Sequence, residues 1–213
     1  MAFKLALGAF VAAGFLLMAG FAAIADPYRI VGLGDSLMAG YGLNPGEAFP
    51  EKLQAALKAR GHEVEVINAG VSGDTSSGGL SRLDWSVPDG TGLVIVELGA
   101  NDMLRGITPE ITEKNLDAIL ARLGERRIGV LVAGMRAAPN LGADYQAKFD
   151  PIFARLAGKY GVALYPFFLD GVAAQPGLLQ QDGMHPSAKG VDTMVEHILP
   201  VVESLLAANP DNS

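Results

Sequence analysis

The chain has 213 residues, of which 50% are hydrophobic and 18% are charged, and this size and composition are typical of one globular α/β domain. The net charge of -7 argues against a protein that binds nucleic acid, because such proteins carry a basic surface. The sequence contains no cysteine, which excludes disulfides, thiolate metal sites and a cysteine nucleophile.

The first 25 residues differ from the rest of the chain. Lys4 is the only charge before an apolar stretch over residues 5–24, which ends in the small-x-small pattern Ala23-Ile24-Ala25. This pattern predicts a signal peptide over residues 1–25 and a single mature domain over residues 26–213. We therefore expect a periplasmic or secreted protein with no stable membrane anchor. The alternative is an uncleaved anchor, because the apolar run approaches the roughly 20 residues that span a bilayer.

Beyond residue 25, strand-like apolar runs alternate with helical patterns. In chain order they are a strand at 28–33, a helix at 47–60, strands at 64–67 and 93–98, a helix at 109–126, a strand at 128–132, a helix at 143–160, a strand at 162–165 and a helix at 186–206. Helices of this length between strands indicate a five-stranded, mostly parallel sheet covered on both faces. In such sheets, functional residues follow the carboxyl ends of the strands.

A serine follows the first predicted strand, in Gly34-Asp35-Ser36-Leu37. At a strand-to-helix turn, its hydroxyl would lie over the edge of the sheet. Taken alone, the motif is more typical of a serine that caps a helix. A dinucleotide fingerprint is excluded because Leu37 stands where the third glycine belongs, and no serine lies in the G-x-S-x-G motif of α/β-hydrolases.

A second motif, Asp182-Gly183-Met184-His185-Pro186, lies just before the last predicted helix. An aspartate three residues before a histidine can accept from the ring Nδ1–H and leave Nε2 free to take a proton from a serine. Asp and Pro also serve in ordinary turns, so this motif alone is ambiguous. Combined with Ser36, it favours a Ser-His-Asp catalytic triad.

Acyl transfer also needs donors for the negative charge that develops on the carbonyl oxygen, and two loops offer them. Gly73 follows the second strand and can present its N–H, and Asn101 follows the third strand and carries an amide donor. For either loop alone, turn chemistry is the more common explanation. The other histidines, His62 and His197, form no pair with metal-ligand spacing, so a metal site has little support.

The strings GDSL, SGD, GANDMLRG and DGMHP, in this order and spacing, resemble those of the SGNH (GDSL) hydrolases. The longer strings VSGDTSSGGLSRL, VIVELGANDMLRG, LYPFF and LLQQDGMHP are similar to its bacterial periplasmic branch of thioesterases, arylesterases and lysophospholipases. The resemblance covers residues 28–203. It implies a flavodoxin-like three-layer α/β/α sandwich and assigns site roles as follows: Ser36 is the nucleophile, His185 the general base and Asp182 its partner, and Ser36, Gly73 and Asn101 form the oxyanion hole.

The resemblance also implies hydrolysis of a small acyl ester or thioester through an acyl-enzyme, with neither metal nor organic cofactor. A glycan O-acetylesterase and a non-catalytic binding protein that uses the same cleft are the alternatives. We expect a monomer by default. The acyl-chain preference depends on loops 104–109 and 136–144, whose conformations the sequence does not specify.

Overall fold

The computed structural model describes residues 26–208, and it contains one parallel sheet of five strands in the order β2-β1-β3-β4-β5. The strands are β1 (Tyr28–Gly34), β2 (Val64–Gly70), β3 (Thr91–Glu97), β4 (Gly129–Ala133) and β5 (Ala163–Tyr165). The predicted α/β sheet is thereby confirmed. The predicted signal peptide, residues 1–25, and the polar tail, residues 209–213, lie outside the described residues.

Eight α-helices flank the sheet in the described part of the chain. They are α1 (Ser36–Ala39), α2 (Phe49–Ala59), α3 (Ser76–Ser86), α4 (Ala100–Leu104), α5 (Pro109–Glu125), α6 (Ala143–Phe149), α7 (Ile152–Tyr160) and α8 (Ala188–Ala207). Helix α2 packs against α8, whereas α5 packs against α3 and α7. The central strands β1 and β3 are buried along their last five residues, as expected for strands covered on both faces.

One predicted helix is divided in two, and the last helix begins later than predicted. The segment predicted as one helix over residues 143–160 is divided between α6 and α7. Pro151 has no N–H to continue the hydrogen-bond ladder of α6, so this helix ends there. The neighbouring Asp150 carboxylate accepts from the Ala137 N–H at 2.7 Å and ties the break between the two helices to the loop after β4. The last helix begins after Ser187, whose hydroxyl accepts from the Gly190 N–H, because Pro186 pairs with Leu179 in an isolated bridge.

Helices α3 and α4 were not predicted. The sequence of α3 contains two adjacent glycines and little apolar periodicity, so local propensity gives it weak support. Its first turn is capped by Thr75, whose hydroxyl accepts from the Gly78 N–H at 3.3 Å. Tertiary contacts, above all those of Arg82, hold the rest of the helix in place.

Arg82 joins α3 to the edge of the sheet where the site lies. Its guanidinium donates to the Asp74 carboxylate at 2.6 Å, to the Ala69 carbonyl at 2.7 Å and to the Gly34 carbonyl at 2.9 Å. Ala69 and Gly34 lie at the carboxyl ends of β2 and β1, and Asp74 lies in the loop after β2. One buried cation therefore fixes two strand ends and the loop that contains Gly73.

We predict that Arg82→Leu lowers the free energy of unfolding by about 3–5 kcal/mol, because it leaves a shielded carboxylate and two carbonyls without their donor. The side chains of Arg82 and Asp74 are only 8% and 15% exposed. A matched control is Arg122→Leu. Arg122 pairs with Asp84, and their side chains are 53% and 61% exposed, so this substitution should lower the free energy of unfolding by only about 0–1 kcal/mol. Urea denaturation measures both, and equal losses would contradict the role given to Arg82.

Candidate active site

The predicted site residues meet at the carboxyl edge of the sheet. Ser36, Gly73, Asn101 and His185 line one cleft of about 580 Å³, and Asp182 contacts His185 from the side away from Ser36. Three of the loops follow β1, β2 and β3, which are neighbours in the sheet, and the fourth precedes α8. The structure therefore brings all five residues together.

Ser36 and His185 are in hydrogen-bond contact across the cleft. Ser36 is the first residue of α1, and its Oγ lies 2.9 Å from His185 Nε2. The imidazole also packs on the Tyr41 ring, with 4.6 Å between ring centroids and an angle of 39° between ring planes. The ring of His185 is thus held by an aromatic neighbour on one face and by hydrogen-bond partners at both nitrogens.

Asp182 is the partner of the other ring nitrogen. Its Oδ2 lies 2.6 Å from His185 Nδ1, and its Oδ1 accepts from the backbone N–H groups of Met184 and His185 at 2.9 and 3.0 Å. These backbone donors, and then the imidazole, lower the pKa of Asp182 to about 2. Because an ionised carboxylate only accepts hydrogen bonds, Nδ1 carries the ring hydrogen and Nε2 presents a lone pair to Ser36.

Asn101 lies in the short helix α4, after Gly99, whose φ of 118° is accessible mainly to glycine. Its Nδ2 donates to Asp35 Oδ2 at 3.0 Å. The other oxygen of Asp35 accepts from the Leu37 N–H at 3.0 Å and caps α1. One hydrogen of the Asn101 amide is therefore engaged, and the second remains for a ligand in the cleft.

Gly73 contributes backbone rather than a side chain. Its φ is 82°, and its carbonyl accepts from Arg105 Nη2 at 2.6 Å, which ties this loop to the end of α4. Within the described part of the chain, the N–H groups of Gly73 and Ser36 donate to no other protein group. Both residues line the cleft, so these two donors are available to a ligand.

Two buried acids beneath Ser36 were missed by the sequence analysis. Glu97, at the end of β3, is 0% exposed; its Oε2 accepts from the Asp35 N–H at 3.2 Å, and its Oε1 has no hydrogen-bond partner among the described residues. Burial raises the pKa of Glu97 well above its usual range and that of Asp35 to about 6. The sequence signal that could have identified Glu97 is that it is the single acid in the otherwise apolar run VIVELG.

A third buried acid, Asp102, joins the loops that contain Gly73 and Asn101. Its carboxylate accepts from the Ser76 N–H at 2.7 Å, from the Ser76 hydroxyl at 2.5 Å and from the Thr112 hydroxyl at 3.2 Å. Ser76 begins α3 directly after the Gly73 loop, and Asp102 adjoins Asn101. The two loops are therefore held in a fixed relation to each other.

The described residues show neither a metal cluster nor a membrane span. Between residues 26 and 208, no three His, Asp or Glu side chains lie together in a way that could hold a metal ion. No helix in the same range is long and apolar enough to cross a membrane.

Known proteins with similar sequences are ester hydrolases. The chain is 36% identical over 175 residues to esterase TesA of Pseudomonas aeruginosa, covering 82% of this chain and 87% of that protein. It is 36% identical over 193 residues to thioesterase 1/protease 1/lysophospholipase L1 of Escherichia coli, covering 88% of this chain and 91% of that protein.

A solved structure and a family match agree with these relatives. The SGNH-hydrolase family esterase AlinE4 superposes with a TM-score of 0.73 at 48% sequence identity, covering 86% of this chain and 99% of that chain. Residues 33–192 match the GDSL-like Lipase/Acylhydrolase family. The resemblance inferred from the motifs is confirmed: the chain belongs to the GDSL-like (SGNH) lipase/acylhydrolase family and is an ester-hydrolysing enzyme.

Proposed function

We propose that Ser36 is the nucleophile of this hydrolase, His185 its general base and Asp182 the carboxylate that orients His185. The observation that carries the proposal is the continuous series of contacts from Asp182 Oδ2 to His185 Nδ1, at 2.6 Å, and from His185 Nε2 to Ser36 Oγ, at 2.9 Å. Both distances are those of hydrogen bonds: the one to Ser36 Oγ is short enough for proton transfer to Nε2, and the one to Asp182 orients the ring.

The chemistry follows from these contacts. Nε2 of His185 takes the hydroxyl proton as Ser36 Oγ attacks the substrate carbonyl, and the ionised Asp182 stabilises the imidazolium that forms. The tetrahedral intermediate collapses when Nε2 returns the proton to the leaving oxygen or sulfur, and the acyl group stays on Ser36. Water then repeats the two steps with the acyl-enzyme, which releases the acid and restores the serine.

The Ser36 and Gly73 N–H groups and the Asn101 amide form the proposed oxyanion hole. Support comes from the two N–H groups without a protein acceptor and from the second amide hydrogen of Asn101. Such donors stabilise the transition state most, because charge on the substrate oxygen is largest there.

The lining of the cleft supports an acyl substrate with an apolar chain. The larger apolar side chains that line it are Leu37, Met103, Leu104, Met135, Leu169, Leu179 and Met184. No lysine, arginine or glutamate is among the described residues of that lining. Apolar surface gives binding energy to an alkyl or aryl group and little to a hydroxyl-rich sugar, so we favour acyl esters or thioesters over glycan acetates.

We also propose that residues 1–25 direct export and are removed, and that the mature enzyme acts as a monomer in the periplasm or medium. The support for export and cleavage is the apolar run followed by Ala23-Ile24-Ala25. We predict that the exported protein begins at Asp26, which N-terminal sequencing checks. A membrane-bound protein that begins at Met1 or Ala2 would support the uncleaved anchor instead.

The substrate class is tested by a hydrolysis profile over p-nitrophenyl acetate, butyrate and octanoate, the matching acyl-CoA thioesters, a lysophospholipid and an acetylated oligosaccharide. We predict that kcat/KM rises from acetate to the longer acyl chains by about 10-fold for each pair of added methylenes that enters the cleft. An enzyme that acts fastest on the acetylated oligosaccharide would contradict the acyl-chain proposal and favour the O-acetylesterase.

The oxyanion role is tested by Asn101→Ala, with Ser36→Ala as the inactive reference and the exposed Asn44→Ala as the matched control. Loss of one oxyanion donor should lower kcat by about 10²–10³-fold. KM should change far less, because the lost hydrogen bond acts mainly in the transition state. Steady-state kinetics separate this outcome from a turn defect, in which kcat changes little. The melting temperature should fall in either case, because the substitution leaves Asp35 Oδ2 without its donor.

A further inference from the structure

Asp35 takes no part in the proposed proton transfers, yet it lies fully buried between the end of β1 and the nucleophile. Its carboxylate accepts on both oxygens: Oδ1 accepts from the Leu37 N–H and Oδ2 accepts from Asn101 Nδ2, both at 3.0 Å. The backbone N–H of Asp35 is itself held by Glu97 Oε2 at 3.2 Å. The carboxylate thus connects the turn of the nucleophile to the side chain of Asn101.

The orientation of an asparagine amide decides whether it can serve an oxyanion. One end of the amide carries two donors and the other end only accepts, so a 180° flip exchanges a donor for an acceptor. An ionised carboxylate only accepts, and it therefore pairs with the NH₂ end of Asn101 and repels the carbonyl end. With one hydrogen on Asp35, the second is left for the cleft.

We propose that Asp35 is a positioning residue for Asn101, whose amide it holds with an N–H available to the substrate oxygen. The inference rests on the oxyanion role given to Asn101 above. It goes beyond the helix-capping role of Asp35, because a cap engages only Oδ1, whereas the contact with Asn101 engages Oδ2.

The protonation state of Asp35 gives the proposal a second readout. Burial raises the pKa of Asp35 to about 6. The titratable and charged groups that face it are Glu97 from β3, His185 from the loop before α8, Asp74 from the loop after β2 and Arg82 from α3. Once protonated, the carboxyl can donate to the carbonyl of Asn101 and favour the flipped amide. Oxyanion stabilisation should therefore weaken as the pH falls below about 6.

The test is Asp35→Asn, which keeps a good helix cap but replaces the accepting Oδ2 with an NH₂ group that favours the flipped Asn101. We expect kcat to fall by about 100-fold with KM changed by less than about 2-fold and no loss of melting temperature. The ratio of wild-type kcat to variant kcat should fall toward 1 as the pH is lowered through about 6, because Asp35 of the wild type then becomes a neutral carboxyl.

A double-mutant cycle with Asn101→Ala completes the experiment, and the exposed Asp84→Asn serves as the matched control. If Asp35 acts through Asn101, Asp35→Asn should change kcat by less than about 2-fold in the Asn101→Ala background. Equal losses in both backgrounds, or a normal kcat for Asp35→Asn alone, would overturn the inference and leave the proposed function intact. A normal kcat for Asn101→Ala would instead remove Asn101 from the proposed oxyanion hole, and the positioning role of Asp35 with it.

Discussion

The contact between Ser36 and His185 joins side chains 149 positions apart in the chain, and the site depends on keeping it at 2.9 Å. Ser36 is fixed because β1 is held between β2 and β3 in the sheet and α1 begins directly after it. His185 lies in a loop. The Gln180 N–H donates to the His185 carbonyl at 2.8 Å, and this hydrogen bond and the capped start of α8 hold the loop in place. A central strand thus supplies one partner, and a locally hydrogen-bonded turn supplies the other.

Ser36 directly follows Asp35, whose N–H is held by Glu97, and two neighbouring buried acids are unusual in a protein core. Asp35 and Glu97 are both 0% exposed, and burial disfavours the charged form of each. Buried carboxyls usually have a cation beside them, but the nearby guanidinium of Arg82 is engaged by Asp74 and by backbone carbonyls. Buried polar groups that lower stability are concentrated at functional sites, where they orient the groups that bind a substrate.

The parallel sheet, and the meeting of the site residues at one of its edges, could be predicted because each depends on a strong local sequence signal and one geometric rule. The apolar runs of β1 and β3 identify central strands, and parallel strands bring the loops of Ser36, Gly73 and Asn101 to one edge. Helix α3 could not be predicted, because Gly79 is there for close packing: an added Cβ would lie 2.3 Å from Leu98 Cδ1. The contact between Asp35 and Asn101 joins two loops, so its geometry required the tertiary structure.

The most direct test of the nucleophile is covalent trapping with a fluorophosphonate, followed by mass spectrometry of the intact protein and its peptides. An activated serine displaces fluoride and retains the phosphonyl group, so we expect one adduct per chain, on Ser36, at a rate that falls in His185→Ala. Ser72 also lines the cleft and is the informative alternative. An adduct on Ser72, or full hydrolytic activity in a protein that forms no adduct, would contradict the assignment of Ser36 as the nucleophile.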